Sequence, residues 1–250
     1  MNVSAFAWQS IERLRRVSPS LAVLAANLAG GGRSFHVDAD GDWIARQDGV
    51  TIASPDTVAK RLSFMEAEVA DYFLPFYQPK ADDVVVDVGA GIGEEAVVIS
   101  HKVKRYIAIE ASPRTYRCLS KTIALSGLPA EPIHCAIGDM NGTTTIETTA
   151  NHLGNSIGRG DAVVEMRSLS SLCADLGIKR IDFLKMNIEG AEQLAVKGLG
   201  ALDVRNAAIS CHDFINMETK QAVKAAMCDF RQLPRRHHLP WINDTLYFTR

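Results

Sequence analysis

The chain has 250 residues, and 27 lysines and arginines against 29 aspartates and glutamates leave a formal charge of −2. That balance argues against nucleic acid as the main partner, because phosphate binding needs a basic face. An apolar content of 47% supports one sizeable core, which at this length fits one α/β domain with a small extension.

No apolar run reaches membrane-spanning length, so no membrane insertion is expected. The N-terminus has neither the apolar stretch nor the cleavage pattern of a secretion signal. Cys118, Cys135, Cys173, Cys211 and Cys228 form no C-x-x-C pair and read as reduced core residues of a cytoplasmic protein.

Residues 4–28 read as helical, with Trp8, Ile11, Leu14 and Val17 on one stripe. Arg13, Arg15 and Arg16 fall mostly on the other, solvated side. Pro19 interrupts the run, and Leu21, Leu24 and Leu28 resume it. This stripe must pack on the main domain or on a second copy, which would make a homodimer through the N-terminal segment. Gly30-Gly31-Gly32 reads as a joint. Ser34–Asp38 and Asp42–Arg46 alternate around Asp40-Gly41 as a hairpin, and Val50–Ala53 adds a third strand. Residues 1–53 thus form a small helical and β-hairpin cap, and residues 54–250 the main domain. Ser54-Pro55 has the cap and first-turn proline of a helix running to about Phe73.

The main domain reads as strands alternating with helices, the pattern of a doubly wound sheet with helices on both faces. Val84–Val88 is a β-branched run buried on both faces. A helix from Glu94 to Lys102 follows, then a strand over Arg105–Glu110 and a helix over Pro113–Ser126 closed by Gly127. Pro132–Ile137 is the third strand. Thr143–Thr148 and Ala162–Arg167 are strand-like pieces around a polar loop, and Ser168–Leu176 is a short capped helix. Ile181–Asn187 and Arg205–His212 are the fourth and fifth strands. Helices start near Gly190 and run over about Asn216–Cys228. Phe230–Leu233 and Trp241–Thr249 close a seven-stranded sheet. The last strand has no crossover helix before it and should run antiparallel.

After Val84–Val88 come Gly89, Gly91 and Gly93 at alternate positions. Glycines let the chain turn sharply and let a ligand approach the backbone. A dinucleotide turn wants G-x-G-x-x-G, but here Glu94 stands at the third position, where an acid suits a pyrophosphate poorly. The pattern D-x-G-x-G-x-G from Asp87 is instead typical of S-adenosylmethionine methyltransferases, with Asp87 near the cofactor's amino-acid part. Glu110 ends the next strand, where a carboxylate can accept both ribose hydroxyls.

Asp182-Phe183-Leu184-Lys185-Met186-Asn187-Ile188-Glu189-Gly190-Ala191-Glu192 resembles the fourth-strand signature of the FkbM family of S-adenosylmethionine-dependent methyltransferases, roughly D-x-L-K-x-D-x-E-G-A-E. Val86–Gly93 resembles the family's first motif and Ile109–Pro113, with Glu110, Ala111 and Ser112, its second. Ala136-Ile137-Gly138-Asp139 resembles the turn after strand three, and Leu153-Gly154-Asn155-Ser156 a polar motif before strand four. The family usually has Asn at the position of Ile92 and Asp at that of Asn187. The resemblance implies a Rossmann-like class I methyltransferase fold. It assigns the cofactor site to Asp87, Gly89, Gly91, Gly93, Glu110, Ala111, Ser112, Ala136, Ile137 and Asn187. It implies methyl transfer to a hydroxyl of a sugar, a polysaccharide or a polyketide or glycosylated natural product.

A hydroxyl is a weak nucleophile until a base or a metal acts on it. Glu189, directly after strand four, is the first candidate for base or ligand. His212-Asp213 ends strand five, so Glu189, His212 and Asp213 can form an oxygen–nitrogen cluster for Mg²⁺ or another divalent cation. A His and an Asp that only hydrogen-bond in the crevice are an equal alternative. His152, in the polar loop, is a further candidate base, though such a His more often is solvated or positions substrate. Glu192 reads as an acid stabilising its helix terminus, His134 as a satisfied core residue and Arg235–His238 as a solvated loop. The competing readings are a nicotinamide-dependent oxidoreductase, a non-catalytic binding protein of the same fold and an amine methyltransferase. Glu94 opposes the first and the motif acids oppose the second. The third usually has a proline-containing turn after strand four, which Asn187–Gly190 lacks.

Overall fold

The computed structural model describes residues 5–57, 60–146, 160, 162–212, 218–234 and 245–250. Helices α1 (Ala5–Val17) and α2 (Pro19–Ala29) precede a meander of β1 (Ser34–Val37), β2 (Trp43–Gln47) and β3 (Val50–Ser54). The meander pairs antiparallel in the order β1-β2-β3. Asp38 shapes its first turn, its Oδ1 accepting from the backbone N–H of Asp40 and Asp42. Over the described residues 54–57 and 60–61 the expected helix from Ser54 does not form. Ser54 Oγ accepts from Asp56 N in a turn, and α3 spans only Leu62–Tyr72.

The seven-stranded sheet has the order β12-β13-β11-β10-β4-β5-β6. Its strands are β4 (Val84–Val88), β5 (Arg105–Glu110), β6 (Glu131–His134), β10 (Arg180–Met186), β11 (Asp203–Ser210), β12 (Arg231–Leu233) and β13 (Thr245–Thr249). Strands β6, β5, β4, β10 and β11 run parallel, and β13 runs antiparallel to β11, as expected for the last strand. Connecting helices are α4 (Glu94–Ile99, continued as a 3₁₀ turn to Lys102), α5 (Pro113–Ser126), α6 (Leu169–Asp175), α7 (Glu192–Lys197) and α8 (Thr219–Ala226). The expected third strand divides after His134. β7 (Ala136–Gly138) leaves the main sheet and pairs with β9 (Ala162–Ser168), which also holds β8 (Gly142–Ile146).

Alternate strand residues feed two cores, as a sheet covered on both faces demands. Val86, Ile107, Ile109, Leu184 and Met186 pack with α6, α7 and α8 residues such as Leu172, Ala195 and Val223. Val85, Tyr106, Ala108 and Phe183 pack with Val69, Ala96 and Leu119 from α3, α4 and α5. Among the described residues, no helix is long and apolar enough to cross a membrane.

The N-terminal elements have a third core, built on Trp8, Ile11, Ala26, Phe35, Trp43 and Ile52. It closes over α5. Ala53 N donates to the buried Thr122 Oγ1 at 3.0 Å, and Thr51 N to Ser126 Oγ at 2.8 Å. Ile92 and Cys118 of the main domain belong to this core. Of the two partners expected for the stripe, the main domain does not cover Leu21, Leu24 and Leu28, which are exposed in the single chain. Arg15 is not simply solvated, since it donates to the carbonyls of Pro55 and Gly41 and lies over the Trp43 ring. Cys228 is likewise exposed, unlike the four buried cysteines.

Asp38, Asp40 and Asp42 gather at the meander turn, but the Lys121 ammonium sits among them, 2.5, 2.7 and 2.6 Å away. Asp42 also receives Arg117 at 2.6 and 2.9 Å. Burial alone would raise the Asp42 carboxyl, yet the hydrogen bonds from Arg117 and Lys121 outweigh it and hold it below the usual range. A depressed carboxyl stabilises the fold above its unfolded pKa and loses that contribution as pH falls through the folded value. Asp42→Asn should therefore cost about 1–3 kcal/mol at neutral pH. In urea titrations the difference from wild type should shrink below about pH 4. A constant difference down to the acid limit would contradict this account.

Candidate active site

Strand order reverses between β4 and β10, and a cleft opens there beyond the carboxyl ends of the parallel strands, where such sheets bind ligands. It encloses about 680 Å³ out to its open side. Its walls include Gly89 and Gly91 after β4, Glu110, Ala111 and Ser112 after β5, Ile137 of β7, and Asn187 and Glu189 after β10. Cys135 and Ile146, which the sequence reading did not single out, complete the apolar side. The Cys135 thiol is pushed up to about 12 by burial and is unsuited to thiolate chemistry.

Gly89 adopts φ 77°, and a Cβ there would stand 2.0 Å from the Asn187 carbonyl oxygen. Only glycine lets β4 and β10 close to that distance. Gly91 also has a positive φ, but its missing Cβ leaves open space on the cleft wall, a cradle that a side chain would fill. Glu110 faces it. One carboxylate oxygen accepts from Gly91 N at 3.0 Å and the other from Ser112 N at 2.8 Å. Burial raises its carboxyl despite those two amides. Each oxygen retains a lone pair for a further donor. A mostly apolar slot with one fixed carboxylate fits a nucleoside whose ribose offers two hydroxyls, so the residues present suit S-adenosylmethionine.

Three expected cofactor residues lie off the wall. Gly93 starts α4, and its Cα face packs toward Leu119 and Thr122 of α5. Ala136 is buried in the small core with Ile146 and Val164. Asp87 lies beneath the glycine turn and is fully buried. Its oxygens meet Lys185 Nζ at 2.9 Å and the Tyr106 hydroxyl at 2.6 Å. Asp87 therefore supports the turn from below rather than reaching a ligand directly. Lys185 also donates to the Gly89 carbonyl at 2.7 Å, stands 3.4 Å from Glu95 and lies over the Phe73 ring. The signal for this cluster was present in the sequence. A lysine in the apolar strand Phe183-Leu184-Lys185-Met186 needs buried partners.

At the other side of the cleft, Glu189 has a positive φ of 51°. Burial raises its carboxyl, an effect opposed by His212 and reinforced by Glu192. Its Oε1 stands 3.6 Å from His212 Nε2. Glu192 is fully buried, with Oε1 2.6 Å from His212 Nδ1. The same carboxylate accepts from Ile188 N at 3.1 Å and Gly190 N at 3.0 Å. The structure thus brings Glu189 and His212 together, and Glu192 does more than begin a helix. His152, Asp213, the Leu153–Ser156 motif and Arg235–His238 lie outside the described residues. His134, expected in the core, is exposed, stacks on Tyr116 and contacts the Ala111 carbonyl at 3.1 Å.

A Rossmann-like sheet with an antiparallel last strand, a glycine turn and an acid ending the second core strand defines a class I methyltransferase fold. Residues 87–228 match the model of the methyltransferase FkbM domain, and the chain belongs to the FkbM family of S-adenosylmethionine-dependent methyltransferases. It is 30% identical to methyltransferase sdnD of Sordaria araneosa, over 46% of this chain and 60% of that protein. The methyltransferase FkbM from Methylobacillus flagellatus KT superposes with a TM-score of 0.50 at 21% identity, over 75% of this chain and 50% of that one. The match thus spans less than two thirds of either relative, and the second shares the fold.

Beneath the cleft, burial pushes the Glu95 carboxyl up to about 7, against the pull of Lys185. A raised carboxyl favours the fold while it is protonated, so its contribution is present below the unfolded pKa and is lost as pH rises through the folded one. Wild-type stability should therefore carry a decline between about pH 4.5 and 7, and Glu95→Gln should flatten it in urea titrations. An identical slope in the variant would remove Glu95 as its source.

Proposed function

We propose that this protein transfers a methyl group from S-adenosylmethionine to a hydroxyl oxygen. The observation that carries this reading is that Glu110 and Glu189, on the ends of different strands, line one cleft. Gly89, Gly91, Glu110, Ser112 and Ile137 would hold the cofactor, with Glu110 toward the ribose. Bound there, S-adenosylmethionine supplies an electrophilic sulfonium methyl group. The chain's own task is to place the acceptor oxygen and take its proton. Glu189 is the proton acceptor. Its raised carboxyl is a stronger base than an ordinary glutamate, and it lines the cleft. His212 stands behind it, with Nε2 3.6 Å from its Oε1.

The acceptor class, a sugar or a polyketide- or glycoside-type hydroxyl, rests on the family resemblance of the fourth-strand signature. A divalent cation is the second reading. Two described donors, Glu189 and His212, face each other, but Asn187 is neutral where the family pattern has Asp. Mg²⁺ prefers several oxygen ligands, so direct proton acceptance is favoured.

Labelled S-adenosylmethionine incubated with a panel of mono- and oligosaccharides tests transfer. Glu189→Gln and His212→Ala should lower turnover by about 10²–10⁴-fold while leaving cofactor affinity nearly intact. Full activity in both variants would refute the assignment. Glu110→Ala should weaken S-adenosylmethionine binding in calorimetry by about tenfold or more. Rates unchanged in EDTA fit the base reading, and loss restored by Mg²⁺ would replace it with the metal one.

A further inference from the structure

Glu192 opens a helix of only six residues, yet its carboxylate does not serve that helix. It turns back and accepts from Ile188 N and Gly190 N, the two amides flanking Glu189. It also meets His212 Nδ1 at 2.6 Å and is fully excluded from solvent. A buried carboxylate without partners would be costly, so two backbone donors and a ring nitrogen converging on one group mark a built arrangement. Between the clamped amides, Glu189 holds φ 51°, a conformation a non-glycine residue keeps only where its surroundings impose it. On the ring, an ionised carboxylate can only accept, so the nitrogen facing it carries the proton. In the neutral imidazole, Nε2 is then the accepting atom, and it is the one facing Glu189.

We propose that Glu192 is a positioning residue that fixes both members of the proton-accepting pair, Glu189 through its backbone and His212 through its tautomer. The proposal rests on Glu189 and His212 acting as that pair, but it is tested without turnover. Imidazole ¹⁵N spectra of the full chain, with His212 assigned by loss of its signals in His212→Gln, should show Nδ1 protonated at mildly alkaline pH. A neutral Nε2–H tautomer in the wild type would overturn the proposal.

Glu192→Leu removes both accepting oxygens, so that neither the amides flanking Glu189 nor His212 Nδ1 finds this acceptor. The variant should melt lower, and its His212 should shift toward the Nε2–H form. S-adenosylmethionine affinity should stay within about threefold, because Glu110 and the glycine wall are untouched. An unchanged tautomer in the variant, or a cofactor affinity reduced tenfold or more, would overturn the positioning role. Should the variant not fold, the wild-type spectrum decides alone. Failure of the wild type to bind S-adenosylmethionine would strike the methyl-transfer reading and leave the tautomer result standing.

Discussion

The cleft depends on one ammonium buried beneath the glycine turn. Lys185 and Asp87 are direct cross-strand partners in the register of β10 against β4. A one-residue slip would carry the lysine to the opposite, wholly apolar face. Removing two charges from water costs more than their attraction returns unless the remaining protons are also satisfied. Here the Gly89 carbonyl accepts one of them at 2.7 Å, Glu95 stands 3.4 Å away, and the Phe73 ring lies alongside. The pair therefore does two things at once. It admits only one register, and through Gly89 it fixes where the turn begins.

From that fixed point the N-terminal elements gain their place. Ile92, in the middle of the glycine turn, points away from the cleft into the core of Trp8, Phe35 and Trp43. The FkbM pattern usually has Asn there. Burial against an apolar core explains why an apolar side chain suits this chain, since Asn at that site would need polar partners. The outer face of the turn thus seals the N-terminal core, while its inner face forms the wall of the cleft. Asp42, with Arg117 and Lys121, ties the same elements to α5.

Much of this was legible in the sequence because strong local patterns and tertiary demands agree. The limits of β4, β5 and α5 follow from a valine run, an alternating strand ending in Glu110, and a Ser112-Pro113 cap closed by Gly127. Other features were hidden because a tertiary partner decides them. Ser54-Pro55 has the chemistry of a helix start, but β3 must extend through Ser54 to pair with Trp43. β6 and β7 follow each other with only Cys135 between them, and their pairing with different sheets separates them. Asp87 is one side of a buried pair, and spacing alone cannot distinguish that from a ligand contact. Glu192 looked like a helix-terminal acid because the groups it holds, Ile188, Gly190 and His212, come from the turn before it and from the segment just beyond β11.

The two sides of the cleft are held by different means. The side with the glycine turn rests on strand ends, where Gly89 and Ala90 donate to the Ile109 carbonyl and Asn187 donates to that of Val88. Ladder bonds leave little freedom there. Past Asn187 the chain leaves the sheet, and a turn can aim a side chain in directions a strand cannot. It also lacks ladder partners for its amides, so a side chain must supply them. Glu192 meets that need, and the resulting turn holds Glu189 in a conformation no strand would impose. Precision at Glu189 thus comes from one buried carboxylate, and at the glycine turn from the sheet itself. Under the proposed reading, Glu189 would have to be held as firmly as the cofactor, and outside the sheet it is side-chain hydrogen bonds that hold a turn in place.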